Sequence, residues 1–320
     1  MINKNFDEYK EIIEACLADY LESAGTFDRT LFEAMKYSLQ SGGKRLRPVL
    51  LLSSCEFAGG RAEDALPYAA AIEYIHTYSL IHDDLPAMDD DELRRGRPTN
   101  HMVYGDGMAV LAGDGLLSAA FEVMFRDMLR YAGNGEEPGD RKELENRVRA
   151  AKAVSAGAGV RGMVAGQAAD LESERNHTET NHTEKNQTGK NHNSSAEMLE
   201  YIHRHKTAAM IIASIKAGLH IGGAGKRMLE KMGIYAESLG LAFQIADDIL
   251  DVTGNEEELG KSVGQDEKNE KLTCVSLYGM DESRRMLHKL TEQAVDAISE
   301  YGEDAGFFRE LVQKLEKRTK

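Results

Sequence analysis

Proline is scarce in this chain of 320 residues, and none follows Pro138. The five prolines stand at positions 48, 67, 86, 98 and 138. Because proline breaks a helix, a long stretch without it favours helical structure. The C-terminal half is therefore expected to be helical.

Long apolar runs and an excess of basic residues are also missing. No apolar run reaches the roughly 20 residues that cross a bilayer, and the start MINKNFDEYK has neither the basic end nor the apolar stretch of a signal peptide. With 54 acidic against 39 basic residues, the formal net charge of −15 repels phosphate backbones and anionic lipid. These features predict a cytoplasmic protein that binds no nucleic acid and spans no membrane.

Cysteine is limited to Cys16, Cys55 and Cys274, an odd number at wide spacing. No CxxC pair or nearby histidine spacing makes a zinc motif of them. We interpret them as reduced thiols that bind no metal.

Helical periodicity is clear in the segment MGIYAESLGLAFQIADDILD. Its apolar residues Tyr235, Leu239, Ala242, Ala246 and Ile249 repeat at the spacing of one helix face. The segment LPYAAAIEYIHTYSLIH is apolar on more than one face, as expected for a helix buried inside a bundle. No comparable pattern supports strands, so we expect one all-α domain over residues 1–320.

A polar insertion interrupts this pattern at about residues 172–197. It reads ESERNHTETNHTEKNQTGKNHNSSAE and has almost no apolar residue. Such composition predicts a mobile surface loop. Its histidines could bind metal adventitiously and its N-x-S/T triplets could be glycosylated, but both interpretations are weaker than a solvated loop.

A first acidic cluster lies in HDDLPAMDDDELRRGRPTNH. On an ideal helix His76, Ser79 and Asp83 share one stripe, whereas Asp89 points elsewhere. The turn at Pro86 must therefore redirect the chain if the carboxylates of Asp83 and Asp89 are to converge. Mg²⁺ is held by one or two carboxylates together with phosphate oxygens, so convergence would create a magnesium site. The alternative is a solvated acidic loop.

A second acidic cluster favours the metal site over that alternative. In FQIADDILDVTG, the residues Gly240, Gln244, Asp247 and Asp251 form a polar stripe on an otherwise apolar helix. Buried carboxylates need a cation. Two such clusters indicate a cavity that holds several Mg²⁺ ions and, with them, a diphosphate.

Basic residues suited to phosphate accompany both clusters. Arginine binds phosphate oxygens with a planar fork, and lysine acts as a point charge, so the set could hold a second diphosphate without metal. The glycine pair Gly42-Gly43 that precedes the first basic group is equally consistent with a simple turn. The basic candidates, with an adjacent threonine, are Lys44, Arg45, Arg47, Arg94, Arg95, Lys206, Thr207 and Lys261.

The ordered motifs resemble those of the trans-isoprenyl diphosphate synthases, particularly the bacterial farnesyl diphosphate branch. They are GGKRLRP, HTYSLIHDDLPAMDDDELRRGRPTNH, HRHKT, FQIADDILD and GKSVGQDEKNEKLT, over roughly residues 30–275. The first acidic motif is DDxxxxD, as in the bacterial branch. The resemblance implies a bundle of about ten or more helices around a deep central cavity, usually a homodimer, that condenses an allylic diphosphate with isopentenyl diphosphate.

The resemblance also implies a role for each motif residue. Asp83, Asp89 and Asp247 would ligate about three Mg²⁺ ions, for which Mn²⁺ can substitute, with Asp84, Asp248 and Asp251 as supporting or water-mediated ligands. Arg94, Lys206 and Lys261 would hold the allylic diphosphate. Lys44, Arg47, His76 and Arg95 would hold isopentenyl diphosphate without metal. Thr207 and Gln244 would lie near the reacting carbons.

Product length is expected to depend on Tyr78, five residues before Asp83 and so roughly 7.5 Å along the helix. An ideal helix puts Ser79 on the Asp83 stripe and Tyr78 to one side. It is the resemblance that places an aromatic residue here at the cavity floor, where it would stop growth at fifteen carbons. A core tyrosine that packs on another helix is the alternative, and a geranylgeranyl product would then be possible.

Three other classes of protein compete with this assignment. An HD-type phosphohydrolase would use the adjacent His82 and Asp83, but it needs further metal-binding histidines and leaves GGKRLRP unexplained. A class I terpene cyclase needs no isopentenyl diphosphate subsite, and its second metal motif usually carries Asn, Ser and Glu. A non-catalytic partner subunit of a synthase tends to lose aspartates, whereas both clusters are complete here.

Overall fold

A computed structural model describes residues 4–24, 28–133, 139–180, 191–254 and 271–318. Its helices are α1 (Phe6–Ala24), α2 (Arg29–Leu39), α3 (Leu46–Phe57), α4 (Ala62–Asp83), α5 (Asn100–Tyr104), α6 (Asp106–Leu129), α7 (Arg141–Ala158), α8 (Met163–Thr180), α9 (Asn191–Ile202), α10 (Ala209–Ile221), α11 (Lys226–Thr253), α12 (Cys274–Tyr278), α13 (Met280–Ala297) and α14 (Gly306–Lys317). A π-helical turn, His203–Ala208, joins α9 to α10, and a 3₁₀ segment, Ser299–Ala305, precedes α14. The predicted all-α class is confirmed.

The chain divides into two compact units. Unit 1 contains residues 1–154 and 214–226, and unit 2 contains residues 155–213 and 227–320. The first acidic cluster and the GGKRLRP motif belong to unit 1. The HRHKT motif and the second acidic cluster belong to unit 2. The prediction of one domain over the whole length stays a prediction.

Unit 1 is built on α3 and α4, which are buried on nearly all sides. α4 packs against α6 and α3, and α1 lies on α3, α4 and α6. α1 contributes one apolar stripe, Tyr9, Ile13, Leu17 and Leu21, all buried. This spacing of four residues keeps the stripe on one helix face.

A short hairpin departs from the expectation that strands would be absent. β1 (Leu93–Arg94) pairs antiparallel with β2 (Arg97–Pro98). The two turn residues Arg95 and Gly96 both have positive φ, 55° and 73°, as a tight two-residue hairpin requires. Strands of two residues leave no periodic signal in the sequence, which is why the pattern analysis missed them.

Helix α6 bears on the expectation that no segment spans a membrane. It is the one helix, within the described ranges, that is long and apolar enough to cross a bilayer by length and composition. In its most apolar window 44% of the residues are buried inside the protein, and the helix packs on α4 and α2. A core helix passes the same test, so this is weak evidence for a span.

Unit 2 contains the predicted amphipathic helix α11. All five residues of its predicted apolar stripe, from Tyr235 to Ile249, are buried. Tyr235 donates a hydrogen bond to the Phe308 carbonyl oxygen in α14 over 2.9 Å, and the two rings meet edge to face. The periodicity therefore identified both the helix and the face that it buries.

The polar insertion is more helical at its edges than expected. Residues 172–180 continue α8, and residues 191–197 begin α9. Polar residues do not prevent helix formation when they extend a helix that is already nucleated. Residues 181–190 lie outside the described part of the chain, so the mobile surface loop stays a prediction.

Candidate active site

The chain reverses direction directly after α4. Helix α4 ends at Asp83, and the amide of Asp89 donates a hydrogen bond to the Asp83 carbonyl oxygen over 2.9 Å. A second bond, from the Met88 amide to the Leu85 carbonyl oxygen, closes the turn around Pro86. The two aspartates of the first motif are therefore adjacent in space, although helical periodicity alone would separate them.

Asp84 is buried and pairs with Arg94. The Arg94 Nε donates to both Asp84 carboxylate oxygens over 2.7 and 2.9 Å, and Nη2 lies 2.5 Å from Oδ1. Burial raises the pKa of Asp84, and the Arg94 guanidinium opposes that rise. In this arrangement Asp84 orients Arg94 of the hairpin, which is a different contact from the supporting metal ligation that the resemblance implies.

The glycine pair of GGKRLRP packs directly against Arg95. The Arg95 guanidinium donates to the Gly42 carbonyl oxygen. A side chain at Gly43 would place its Cβ 2.7 Å from Arg95 Nη1, and both glycines have positive φ. The pair is thus more than a turn, since it brings the basic hairpin beside the first basic motif.

His76 lies among cationic groups. Desolvation lowers its pKa well below 6.5, and Arg47, Arg95, Arg94 and Arg45 lower it further. The Arg47 Nε is buried and has no hydrogen-bond partner among the described residues. An uncharged imidazole among arginines, together with a buried and unsatisfied Arg47 Nε, favours a bound anion. This set fits a diphosphate.

Tyr78 is buried on α4 and meets the His82 ring edge to face, with centroids 5.6 Å apart. The His82 Nε2 lies 3.1 Å from the Val110 carbonyl oxygen of α6. A Cβ on Gly113 would overlap the His82 ring, so α4 and α6 approach closely at this level. Ser79 bonds the His76 carbonyl oxygen of its own helix over 2.9 Å.

In unit 2, Asp248 is the centre of a buried hydrogen-bond network. Its Oδ1 accepts from the Gln244 side-chain amide over 2.9 Å, and its Oδ2 accepts from the Cys274 backbone amide over 2.8 Å. The Gln244 Oε1 in turn accepts from the Thr207 hydroxyl over 2.7 Å. Asp248 therefore orients Gln244 and Thr207, the pair expected near the reacting carbons.

His203 and Cys274 are members of this network that the sequence did not reveal. The His203 Nε2 lies 3.4 Å from Asp248 Oδ2, and the Cys274 thiol is close to both. Hydrogen bonds to Asp248 account for this proximity without a cation, and burial raises the pKa of the Cys274 thiol to about 12. The sequence signal that could have identified His203 is its position four residues, or about one helical turn, before Thr207.

Lys206 lies on the π-helical turn and is paired with Asp170 of α8 over 2.5 Å. The α8 backbone approaches so closely at Gly166 that an added Cβ would overlap the Lys206 backbone nitrogen. On the other side, a Cβ at Gly240 of α11 would lie 2.6 Å from Ala208 Cβ. Because Gly166 and Gly240 have no side chain, the π-helical turn can pack closely against α8 and α11.

The remaining predicted residues have simpler positions. Lys44 is exposed, Asp83, Asp89 and Asp247 are half-buried, and Asp251 is buried on α11. Lys261 lies outside the described residues. Half-buried carboxylates that the backbone brings together, as at Asp83 and Asp89, have the chemistry that Mg²⁺ prefers, so the donor set fits a divalent cation.

Comparisons with known proteins agree with this chemistry. Residues 28–305 match the family model described as polyprenyl synthetase. The chain is 45% identical over 286 residues to a farnesyl diphosphate synthase of Geobacillus stearothermophilus, covering 89% of this chain and 87% of that protein. It is 42% identical over 292 residues to a geranylgeranyl diphosphate synthase of Cyanophora paradoxa, covering 91% and 88%. A solved FPP/GFPP synthase from Zymomonas mobilis superimposes with a TM-score of 0.77 at 32% identity over 97% of both chains.

Proposed function

The chain belongs to the polyprenyl synthetase family, and from this premise we propose that it is a prenyltransferase that joins an allylic diphosphate to isopentenyl diphosphate and makes mainly farnesyl diphosphate. The family resemblance drawn from the motifs is confirmed, and with it the prenyltransferase class. The relatives include both farnesyl and geranylgeranyl synthases, so the fifteen-carbon product is the finer part of the proposal.

The observation that carries the proposal is the group of arginines around His76. A buried, unsatisfied Arg47 Nε and a neutral His76 beside Arg95 suit a diphosphate that is bound without metal. Such a subsite is what a synthase needs for its second substrate and what a terpene cyclase or an HD-type hydrolase does not need. A non-catalytic subunit is disfavoured because both aspartate clusters are complete.

The metal sites belong to the same proposal. Asp83 and Asp89 in unit 1 and Asp247 in unit 2 would hold Mg²⁺, and the proposed number is about three ions. When bound, the ions would neutralise the departing diphosphate and so favour cleavage of the allylic C–O bond. Asp251 would contact Mg²⁺ through a water molecule.

The chain's own residues then bind and orient the substrates. Arg94, held by Asp84, and Lys206, released from Asp170, would bind the allylic diphosphate together with Lys261. Ionisation of the allylic C–O bond gives a cation that the alkene of isopentenyl diphosphate attacks. The proton that is lost from the new chain passes to an oxygen of the released pyrophosphate.

In this proposal Thr207 and Gln244 act on the cation rather than on the diphosphate. The Thr207 hydroxyl donates to Gln244, whose amide donates to Asp248, so the oxygen dipoles of both side chains have fixed directions. Fixed dipoles stabilise developing positive charge without reorganisation. No nucleophilic side chain is needed in this mechanism.

The proposed assembly is a homodimer. Leu111, Phe125 and Leu129 are large exposed apolar side chains of α6, and Leu129 is 71% exposed. Their spacing of 14 and 18 residues puts them within about 40° of one another around the helix. An apolar face of this kind supports association with a second copy.

The direct test is turnover by the purified protein. Dimethylallyl and isopentenyl diphosphates are supplied with Mg²⁺, pyrophosphate release is followed, and the products are dephosphorylated and separated by chromatography. We expect release that requires both substrates and a dominant fifteen-carbon alcohol. Pyrophosphate release without isopentenyl diphosphate would indicate a cyclase or a hydrolase. A dominant twenty-carbon alcohol would show that the product is geranylgeranyl diphosphate rather than farnesyl diphosphate.

A further inference from the structure

Arg45 lies in the middle of the GGKRLRP motif, yet its guanidinium is buried and hydrogen-bonded to other residues of the protein. Its side chain is 1% exposed. Nε donates to Glu14 Oε1 over 2.8 Å and Nη1 to Glu73 Oε1 over 2.6 Å, while Nη2 donates to Glu14 Oε2 and to the Leu39 carbonyl oxygen over 3.2 and 2.7 Å. These bonds use four of the five N–H groups of the guanidinium. Arg45 is therefore a structural anchor.

The backbone at Arg45 shows why an anchor is needed. Arg45 precedes α3 with φ 51° and ψ 29°, the left-handed region that a side chain with a Cβ disfavours. Such a conformation persists only where surrounding contacts hold it. Because Arg45 stands between Lys44 and Arg47, its conformation sets the direction in which the chain presents both of them.

Glu73 connects the anchor to the substrate pocket. It is a buried carboxylate on α4, one turn before His76, and its Oε2 has no hydrogen-bond partner among the described residues. Its charge opposes the fall in the Arg47 pKa that burial causes. Glu73 thus balances the positive charge of Arg45 and Arg47 from one position.

We propose that Glu14, Arg45 and Glu73 form a positioning triad that holds Lys44 and Arg47 in place for isopentenyl diphosphate, and that α1 is thereby a functional part of this subsite. None of the three residues touches the substrate in this proposal. Helix α1 ends at Ala24, before the family match begins at residue 28. The proposal rests on the proposed function for the identity of the ligand.

Helix α1 does not depend on this triad for its attachment. Lys4 pairs with Glu56 of α3 over 2.5 Å, and Tyr9 also donates to Glu56. Tyr74 of α4 donates to the Leu17 carbonyl oxygen over 2.6 Å. Loss of the Glu14 charge should therefore leave α1 docked, so its effect on the subsite is open to measurement.

The test compares Glu14→Gln with Glu11→Gln, an exposed residue of the same helix that undergoes the same change. For Glu14→Gln we expect an increase of about tenfold in the Michaelis constant for isopentenyl diphosphate, because one charge-assisted interaction with Arg45 is lost. Its kcat and its Michaelis constant for the allylic substrate should stay within about twofold of wild type, and so should every constant of Glu11→Gln.

Glu73→Gln provides a second variant from the other side of Arg45. It should raise the same Michaelis constant at least as much, while circular dichroism shows unchanged helix content. The proposal is overturned if Glu14→Gln matches Glu11→Gln, or if both substrates lose affinity equally, as general loosening of the fold would cause.

A binding experiment separates this proposal from the proposed function. Inorganic pyrophosphate is titrated calorimetrically into each protein in the presence of a chelator, so that no divalent ion takes part. Weaker binding by Glu14→Gln than by Glu11→Gln would support the triad even if wild-type protein shows no prenyl transfer. Equal binding would exclude a positioning role for Glu14 whatever the reaction is.

Discussion

The Asp89 amide bonds the Asp83 carbonyl oxygen over 2.9 Å, so a backbone turn and not a shared helix face joins the two ends of the first aspartate motif. The intervening residues Pro86 and Ala87 are exposed at the apex of this turn. The spacing of four residues in DDxxxxD is therefore the length of one turn. The second motif, on the continuous helix α11, needs no such turn.

Loss of a carboxylate charge in either motif should stop turnover without unfolding the protein. Asp83→Asn and Asp247→Asn keep the side-chain volume, and we expect each to lower kcat by about 100-fold or more because a ligand for the divalent cation is lost. The matched control is Asp90→Asn, an exposed residue at φ 54°, where asparagine is well tolerated. Near-normal kcat in both ligand variants would remove the metal assignment.

The ring of Tyr78 should limit the product to fifteen carbons. Tyr78→Ala is expected to shift the main product to twenty carbons, whereas Tyr78→Phe, which keeps the ring against His82, should leave it unchanged. Chromatography of the dephosphorylated products measures both. A fifteen-carbon product from Tyr78→Ala would show that another residue controls the product length.

The close contact at Gly166 should make even one methyl group costly. Gly166→Ala would push its Cβ into the Lys206 backbone, and we expect a loss of about 1–3 kcal/mol in the free energy of unfolding together with reduced kcat. Gly233→Ala in α11 makes the same substitution in open space, and it should stabilise the protein by up to about 1 kcal/mol. Thermal unfolding and turnover of the pair give the comparison, and equal stabilities would contradict the close approach.

The depressed pKa of His76 should appear as a pH dependence of stability. Below pH 6.5 the unfolded chain binds a proton at this histidine, while the folded protein does not until its lower pKa is reached. The free energy of unfolding should therefore fall as the pH decreases from 6.5 to 5.5, by up to about 1 kcal/mol more than in His76→Gln. Urea unfolding of both proteins at pH 7.5 and 5.5 tests the difference, and parallel losses would show that His76 is protonated when folded.

Much of the fold could be predicted from local sequence pattern, because the apolar residues of a helix repeat with its period. The apolar stripe of α11 and the buried character of α4 were both visible in the residue order. The hairpin at Arg95 and Gly96 was not, since its two-residue strands are stabilised by a turn geometry and by contacts to the glycine pair.

The sequence predicts the residues of the candidate site, but it does not show which aspartate of each pair is buried. In each DD pair the second aspartate, Asp84 or Asp248, is buried and hydrogen-bonded, while the first is half-buried. Adjacent residues on a helix point about 100° apart, so the sequence shows that they differ without showing which one is inside. The partners that decide it, Arg94 and the Cys274 amide, lie 10 and 26 residues further along the chain.

The π-helical turn at His203–Ala208 makes the length of this stretch as important as its composition. A π-turn closes hydrogen bonds over five residues rather than four, so it accommodates one residue more than an α-helical turn. Deletion of a single residue between Ile202 and Ala209 would allow α9 and α10 to join as one regular helix. Because the deleted residue is the extra one, the flanking helices would keep their relative rotation, but the wide turn from which the Thr207 hydroxyl reaches Gln244 would be lost. Insertions and deletions in this turn should therefore be far less tolerated in a functional chain than substitutions at its exposed positions.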